Sequence, residues 1–412
     1  MLLVLVIVIV LTICWMFYPY CPKFTGGEVN DPVLNRAYIM FMKAQDINKN
    51  VIKAEAARDF WIADFMFSMA NKQFALGLDN TSPGFPLTTD RKIIKEILID
   101  LKIWETDEEL ETKTDEVIKI INKEYPTTDI LKTIAQHVTI TDYAVDLLQK
   151  MYPKISRTHI IALLLRYGCM YTYVDDKPDG KDIYVSKVLL SIPPPLYHFY
   201  NKTLPNVIES FASPINHTLD RFCAIFQDDM EFGAIGPFTN KLVEANKGST
   251  FIVNPPYDIT TMNYVSNIIA DIVTNNYSIC LPSKDGGLFH LYKGRTMHMR
   301  DGERSMNLSI DKLLRINTLS GILIIPAPLM FYWSYFKQKK QRLSYDTIML
   351  FYLNDDIDII EYIKKVQKII LDFAFSGGYY NRTPIHNIEE DKILDLYPMN
   401  GQKIINSLKI KF

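Results

Sequence analysis

The spacing of apolar residues changes twice along this 412-residue chain. Residues 1–18 form an almost unbroken apolar run, and Trp15, Tyr18 and Tyr20 stand at its end. About 17–25 apolar residues span a bilayer and aromatic side chains favour its interfaces, so residues 1–20 are expected to be an uncleaved membrane anchor. The run has no basic leader and no small-x-small cleavage site, which argues against a signal peptide. Gly26-Gly27 and Asn30-Asp31-Pro32 then read as a linker over residues 21–32. From Val33 the apolar residues recur at intervals of three and four. Phe60, Ile62, Phe65, Met66 and Met69 show the spacing within residues 54–76, and residues 117–121 and 143–148 repeat it. This period predicts helices. Residues 79–84 read as a loop, and Thr127 or Thr128 as the cap of a helix after Pro126. A helical domain is expected over residues 33–180, closed by the turn at Asp175-Asp176-Lys177-Pro178-Asp179-Gly180.

Beyond Ile183 the period shortens. Apolar runs at 188–192, 207–211, 222–226, 250–253, 278–281, 321–325 and 347–352 alternate with helical stretches such as 262–274. Strands alternating with helices predict an α/β sheet, here over residues 181–360. A C-terminal helical extension is expected over 361–412, from residues 359–374 and 387–408.

Composition narrows the classes. Apolar residues make up 48%, ample for a core, and the net charge of −2 gives no global signal for a polyanion, so any nucleic-acid surface is a local patch. Cys14, Cys21, Cys169, Cys223 and Cys280 show no CxxC and no His at zinc spacing, which excludes a disulfide framework and a structural zinc. The seven histidines form no HxxxH or HxH pair, and no GxSxG, Walker loop or GxGxxG occurs, so no metal is expected. The wealth of Ile, Lys, Asn and Tyr fits an AT-rich genome, such as those of large DNA viruses or protists. Lys23 follows the apolar run and no Lys or Arg precedes it, which places the body on the cytosolic side. On that side the Asn-x-Ser/Thr sequons at Asn80, Asn201, Asn216, Asn276, Asn307 and Asn381 are compositional.

The run Phe251-Ile252-Val253 stops abruptly at Asn254-Pro255-Pro256-Tyr257. Pro-Pro after a strand is also an ordinary strand end. Yet the tetrapeptide suits methyl transfer to the exocyclic amino group of a nucleobase. Such a nitrogen is a poor nucleophile because its lone pair is delocalised, and it must become tetrahedral and positive. The Asn254 side-chain oxygen and the Pro255 carbonyl can each accept one of its N–H bonds, where charge develops. The prolines stiffen the turn and bring no competing donor. Tyr257 offers a face on which the base stacks. Its place after an expected strand is where ligands sit in open α/β sheets.

Further motifs stand in order around it: Glu209-Ser-Phe-Ala-Ser-Pro-Ile-Asn216, Glu231-Phe-Gly-Ala-Ile-Gly-Pro-Phe238, Gly248-Ser249-Thr250-Phe251, Leu323-Ile-Ile-Pro-Ala327 and Asp346-Thr-Ile-Met-Leu-Phe351. Together they resemble the phosphorylated-CTD-interacting-factor family of cap-specific adenosine N6-methyltransferases, over residues 205–356. The resemblance implies a Rossmann-like, S-adenosyl-L-methionine-dependent methyltransferase sheet, here preceded by the helical domain and the transmembrane helix. It implies that Phe211, Ala212, Ser213, Pro214 and Asn216, with Glu209 ahead of them, take the place of a Gly-rich cofactor loop. Ser213 and Asn216 would bond the methionine carboxylate or amine, Glu231 or Asp229 a cofactor hydroxyl, and Gly233 and Gly236 would permit close backbone approach. Ser213-Pro214 alone would read as a helix start, and the two acids as surface charges. The family continues with Glu-Trp where this chain has Ser283-Lys284, and its Trp-Trp-type module has no counterpart at this N-terminus.

Lys337, Lys339, Lys340 and Arg342 follow Tyr332, Trp333, Tyr335 and Phe336 and are the candidate RNA contacts, equally readable as a solvated face. Arg295, Arg300 and Arg304 are a second basic group. The expected function is N6-methylation of adenosine in RNA at the cap-adjacent first nucleotide of mRNA. The enzyme would be membrane-anchored, with its body in the cytosol, at a viral replication site. Two other readings stay open: a catalytically retired, membrane-tethered module binding RNA or protein, and a DNA adenine N6-methyltransferase.

Overall fold

Short runs of Ile, Val, Leu and Phe build a five-stranded sheet, and helices of three- and four-residue period cover it. The structure, a computed structural model, describes residues 31–52, 61–75, 87–101, 103–104, 106–137, 140, 142–171, 190–256, 259–283, 310–325, 329, 331–334, 339–342, 346–354, 356–376 and 403.

The sheet is ordered β2-β3-β4-β8-β5, from Val207–Glu209, Thr250–Val253, Asn276–Ser283, Asp346–Tyr352 and Gly321–Ile325. β2, β3 and β4 are parallel, and β8 runs antiparallel between β4 and β5. Alternation along each strand sorts its residues onto two faces. Ile208, Phe251, Val253, Ile279 and Leu281 join a cluster with Val265 and Ile268 of the helix Ile259–Asp271. Val207, Ile252, Cys280, Met349 and Phe351 join another with Tyr197 and Tyr200 of Pro194–Thr203 and Ile363 and Val366 of Ile359–Phe375. A one-residue slip would exchange the faces, so these side chains set the register. A second sheet, β1-β6-β7, joins Leu190–Ser191, Phe331–Ser334 and Lys339–Arg342.

Helices Pro32–Ile47, Trp61–Ala75, Arg91–Asp100, Asp107–Asn122, Ile130–His137, Asp142–Met151 and Arg157–Tyr171 precede the sheet. Asp31 caps the first, its carboxylate accepting from Val33 and Leu34 at 2.8 and 3.0 Å, with Pro32 at the first helical position. Their core also takes in Ile215, Phe226 and Phe232 from the sheet half.

Three expectations change. Residues 222–226 form no strand: Phe222 makes one isolated parallel bridge to Glu209, the Cys223 amide bonds the Glu209 carbonyl, and the Ala224 amide turns away to the Gly236 carbonyl. β7 arises where a basic cluster was expected, and β6 from the aromatic residues ahead of it. The anchor expected at residues 1–20 lies outside the described residues, and among the described residues no helix is long and apolar enough to cross a membrane. The expected fold class is therefore corrected to a mixed α/β fold with a five-stranded sheet and no membrane-crossing helix among the described residues, and the membrane-anchored localisation is withdrawn with it.

Candidate functional site

The chain leaves β2 toward the outer edge, where Phe222 bridges Glu209, and then returns to the inner side of β2 as β3. This reversal is a topological switch point, where a crevice opens beyond the carboxyl ends of parallel strands. Glu209 pairs with Ile252, and the Ser210 amide extends the ladder to the Ile252 carbonyl at 2.9 Å. The loop from Ser210 to Asn216 and the turn Asn254-Pro255-Pro256 thus leave neighbouring strands at the same edge. Asn254 and Pro256 are half-buried, Pro255 is buried, and Tyr257 lies outside the described residues.

The loop after β2 closes on itself. Asn216 Oδ1 accepts from the Ser213 amide and hydroxyl, both at 2.8 Å. The Ser213 hydroxyl accepts from the Ile215 amide at 3.2 Å, and its carbonyl accepts from the amides of Asn216 and His217 at 3.1 and 3.0 Å. These bonds spend the Asn216 oxygen and leave its amide NH2 as the donor of the turn. Ser210, where the loop begins, has a buried hydroxyl with no hydrogen-bond partner. A buried hydroxyl without a partner costs about 1–3 kcal/mol, which a ligand acceptor would recover. A turn offering Asn and Ser groups at a strand end fits the carboxylate and amine of a methionine moiety.

Glu209 does not face this turn freely. Its Oε2 accepts from the amides of Thr218 and Leu219 at 2.8 and 3.2 Å, and Tyr197 also bonds the carboxylate. Burial pushes the carboxyl up to about 7 against these lowering hydrogen bonds. It therefore ties the far arm of the loop to β2. His217 stacks on Phe222, its centroid 4.1 Å away, and burial holds its imidazole below the ordinary range.

The two candidate acids lie on the 3-10 turn Gln227–Phe232. Asp229 is fully buried and accepts from Arg166 Nη2 at 2.8 Å and the Tyr167 hydroxyl at 2.6 Å. Glu231 is exposed and lies 2.6 Å from Nδ1 of His159, whose Nε2 is 3.0 Å from Asp31. Those two carboxylates raise the His159 pKa against its burial. The structure thus engages both acids with the preceding helices. Gly233 and Gly236 sit at φ 96° and 109°, in the left-handed region. At Gly233 a Cβ would meet nothing within 4 Å, so conformation and not close approach is what glycine supplies there.

Lys337 lies outside the described residues, as do Arg295, Arg300 and Arg304. Lys339, Lys340 and Arg342 lie on β7, the edge strand of the second sheet, not a neighbour of β2 or β3. Lys340 bonds Ser376 Oγ at 2.6 Å and the Phe373 carbonyl, with its ammonium 4.5 Å above the Phe373 ring. It closes the end of the C-terminal helix.

Two residues beside the crevice escaped sequence reasoning. Asn71 donates to Thr261 Oγ1 at 2.6 Å, bracing the helix that follows the tetrapeptide. Tyr152 donates to the Pro214 carbonyl at 2.8 Å. Neither belongs to a local motif, so only the folded arrangement shows them.

Residues 146–281 match a family described as Phosphorylated CTD interacting factor 1 WW domain. The match spans the Ser213–Asn216 turn, the Gln227–Phe232 turn and Asn254-Pro255-Pro256-Tyr257. No curated protein matches the chain.

Proposed function

We propose that the chain, whose residues 146–281 match the phosphorylated-CTD-interacting-factor family, methylates N6 of adenosine in RNA, at the first nucleotide beside the cap. The observation that carries this reading is the exit of Asn254-Pro255-Pro256 from β3 at the switch point, beside the Ser213–Asn216 turn. S-adenosylmethionine, when bound, supplies an electrophilic methyl group on a positively charged sulfur. Ser213, Asn216 and Ser210 are the groups we assign to its methionine end.

Asn254 and Pro255 receive the target nitrogen. Each offers an oxygen to one N–H bond, and these bonds strengthen as the nitrogen becomes tetrahedral and positive. Tyr257 stacks on the adenine, which must stand out of any base stack to reach the crevice. No general base is required, because the methylated ammonium is acidic and gives its proton to those acceptors or to water. Lys337, and Lys339 and Arg342 of β7, are assigned phosphate contacts. Lys340 is already engaged by the C-terminal helix.

The purified chain is tested with labelled S-adenosylmethionine on capped RNA beginning with adenosine, the same RNA uncapped, and duplex DNA. Label on N6 of the capped RNA is expected; label on duplex DNA alone would overturn the choice of substrate. Asn254→Ala is expected to lower transfer by about 100-fold or more, with the unfolding midpoint unchanged. Full activity in that variant would refute the role given to Asn254.

A further inference from the structure

The helical half of the molecule meets the proposed cofactor loop through Ile215, which is buried in the helical core, and through the hydroxyl of Tyr152. Tyr152 follows the helix Asp142–Met151 in a turn whose shape is fixed before the loop is met. The Gln149 side-chain amide donates to the carbonyls of Tyr152 and Ile155, at 3.2 and 2.8 Å. The Tyr152 amide bonds the Leu148 carbonyl at 2.8 Å, and the Tyr152 ring stands edge-on to Phe232 at 5.1 Å. From this seat its hydroxyl donates to the Pro214 carbonyl at 2.8 Å and lies 2.8 Å from His217 Nε2.

His217 is held by the loop in turn. Its amide bonds the Ser213 carbonyl, its ring stacks on Phe222, and its Nδ1 lies 3.0 Å from the Leu219 carbonyl. A neutral imidazole that donates from Nδ1 must accept at Nε2, and the Tyr152 hydroxyl is the group there. One phenolic proton is shared between the two sides of the turn, Pro214 and His217.

We propose that Tyr152 is a positioning residue for cofactor binding: its hydroxyl clasps Pro214 to His217 and so orients the Ser213–Asn216 turn toward the crevice. The proposal rests on the reading of residues 211–216 as the S-adenosylmethionine loop. The internal bonds of that loop join residues two to four apart and give the turn its shape. The Tyr152 bond comes from 62 residues away and, with the Ala212 amide on the Cys223 carbonyl and the burial of Ile215, sets where the turn stands relative to β2. Its loss leaves the turn closed and still packed through Ile215 but without the hydrogen bond that fixes its Pro214 corner, so the effect falls on cofactor affinity and not on the transfer step.

Tyr152→Phe keeps the ring and removes the hydroxyl. The dissociation constant and KM for S-adenosylmethionine are expected to rise about tenfold, with kcat at saturating cofactor changed less than about twofold. Amide hydrogen exchange at Asn216 and His217 is expected to quicken. Tyr125→Phe removes a comparable hydroxyl, 2.6 Å from Asp46 and far from the loop, and is expected to leave KM and that exchange unchanged. Unchanged affinity and exchange in Tyr152→Phe overturn the clasp and leave the loop reading standing, and a fall in kcat at constant KM overturns it equally. Failure of the unaltered chain to bind S-adenosylmethionine overturns the loop reading and the clasp with it.

Discussion

Glu209 carries a pH dependence that follows from its place at the end of β2. Burial lifts its carboxyl from an ordinary 4.5 to about 7, so the folded chain holds a proton there that the unfolded chain has lost. Stability from this group is therefore complete below about pH 4.5 and is lost as pH rises through about 7. Glu209→Gln is expected to flatten the fall in unfolding free energy between those limits, by an amount on the order of 1–3 kcal/mol. Urea titrations at pH 5 and pH 8 measure it, and equal slopes for both chains would contradict the assignment. The same residue separates what a motif conveys from what it hides. Glu209 was expected ahead of a cofactor loop at residues 211–216, and its carboxylate bonds the chain just beyond those residues. Its partners, two backbone amides and Tyr197, could not be read from spacing, because they depend on how residues 213–219 fold back.

Among the elements, the Gln227–Phe232 turn depends on helices that precede it by some sixty residues. Arg166 and Asp229 are both almost wholly buried, and removing one partner strands a charge in the interior. Arg166→Met is expected to cost about 3–5 kcal/mol, and adding Asp229→Asn to recover part of it. A cost below about 1 kcal/mol, read from urea unfolding, would show that the pair is not what seats the turn. The strands show why some elements were evident beforehand and others not. Residues 250–253 and 321–325 are apolar runs buried on both faces, and their bounds were read as they stand. Residues 222–226 are as apolar, but the Cys223 amide goes to Glu209 and the Ala224 amide to Gly236, so the run packs as irregular chain between two segments. β7, written Lys-Lys-Gln-Arg, has no apolar alternation, and its pairing with Phe331–Ser334 is what makes it a strand.

For the whole molecule, the helices and the sheet share interior surface. Ile215, Phe226 and Phe232 lie in the cluster of the N-terminal helices, and Phe74 packs against the cluster around Phe251. Asn71 and Thr261 add a buried hydrogen bond across the same boundary. Shared apolar contacts couple the halves, so they are expected to unfold together. Trp104 packs on the helical cluster and Trp333 meets Phe373 at 6.4 Å, so chains keeping only one of these tryptophans report on each half. Coincident denaturation midpoints are expected, and two separated transitions would overturn the coupling.

β8 is the last of the described strands to leave the ribosome, yet its place is in the middle of the sheet, between β4 and β5. β4, with Ile279, Cys280 and Leu281 along it, is complete about 60 residues before β8 begins, a delay of roughly 3–12 s at 5–20 residues per second. Throughout that interval its unpaired amides and carbonyls form an open edge of the kind that recruits strands from other chains. The order of translation thus leaves the newborn chain open along a strand that ends up in the middle of the sheet, until residues 346–352 arrive to cover it.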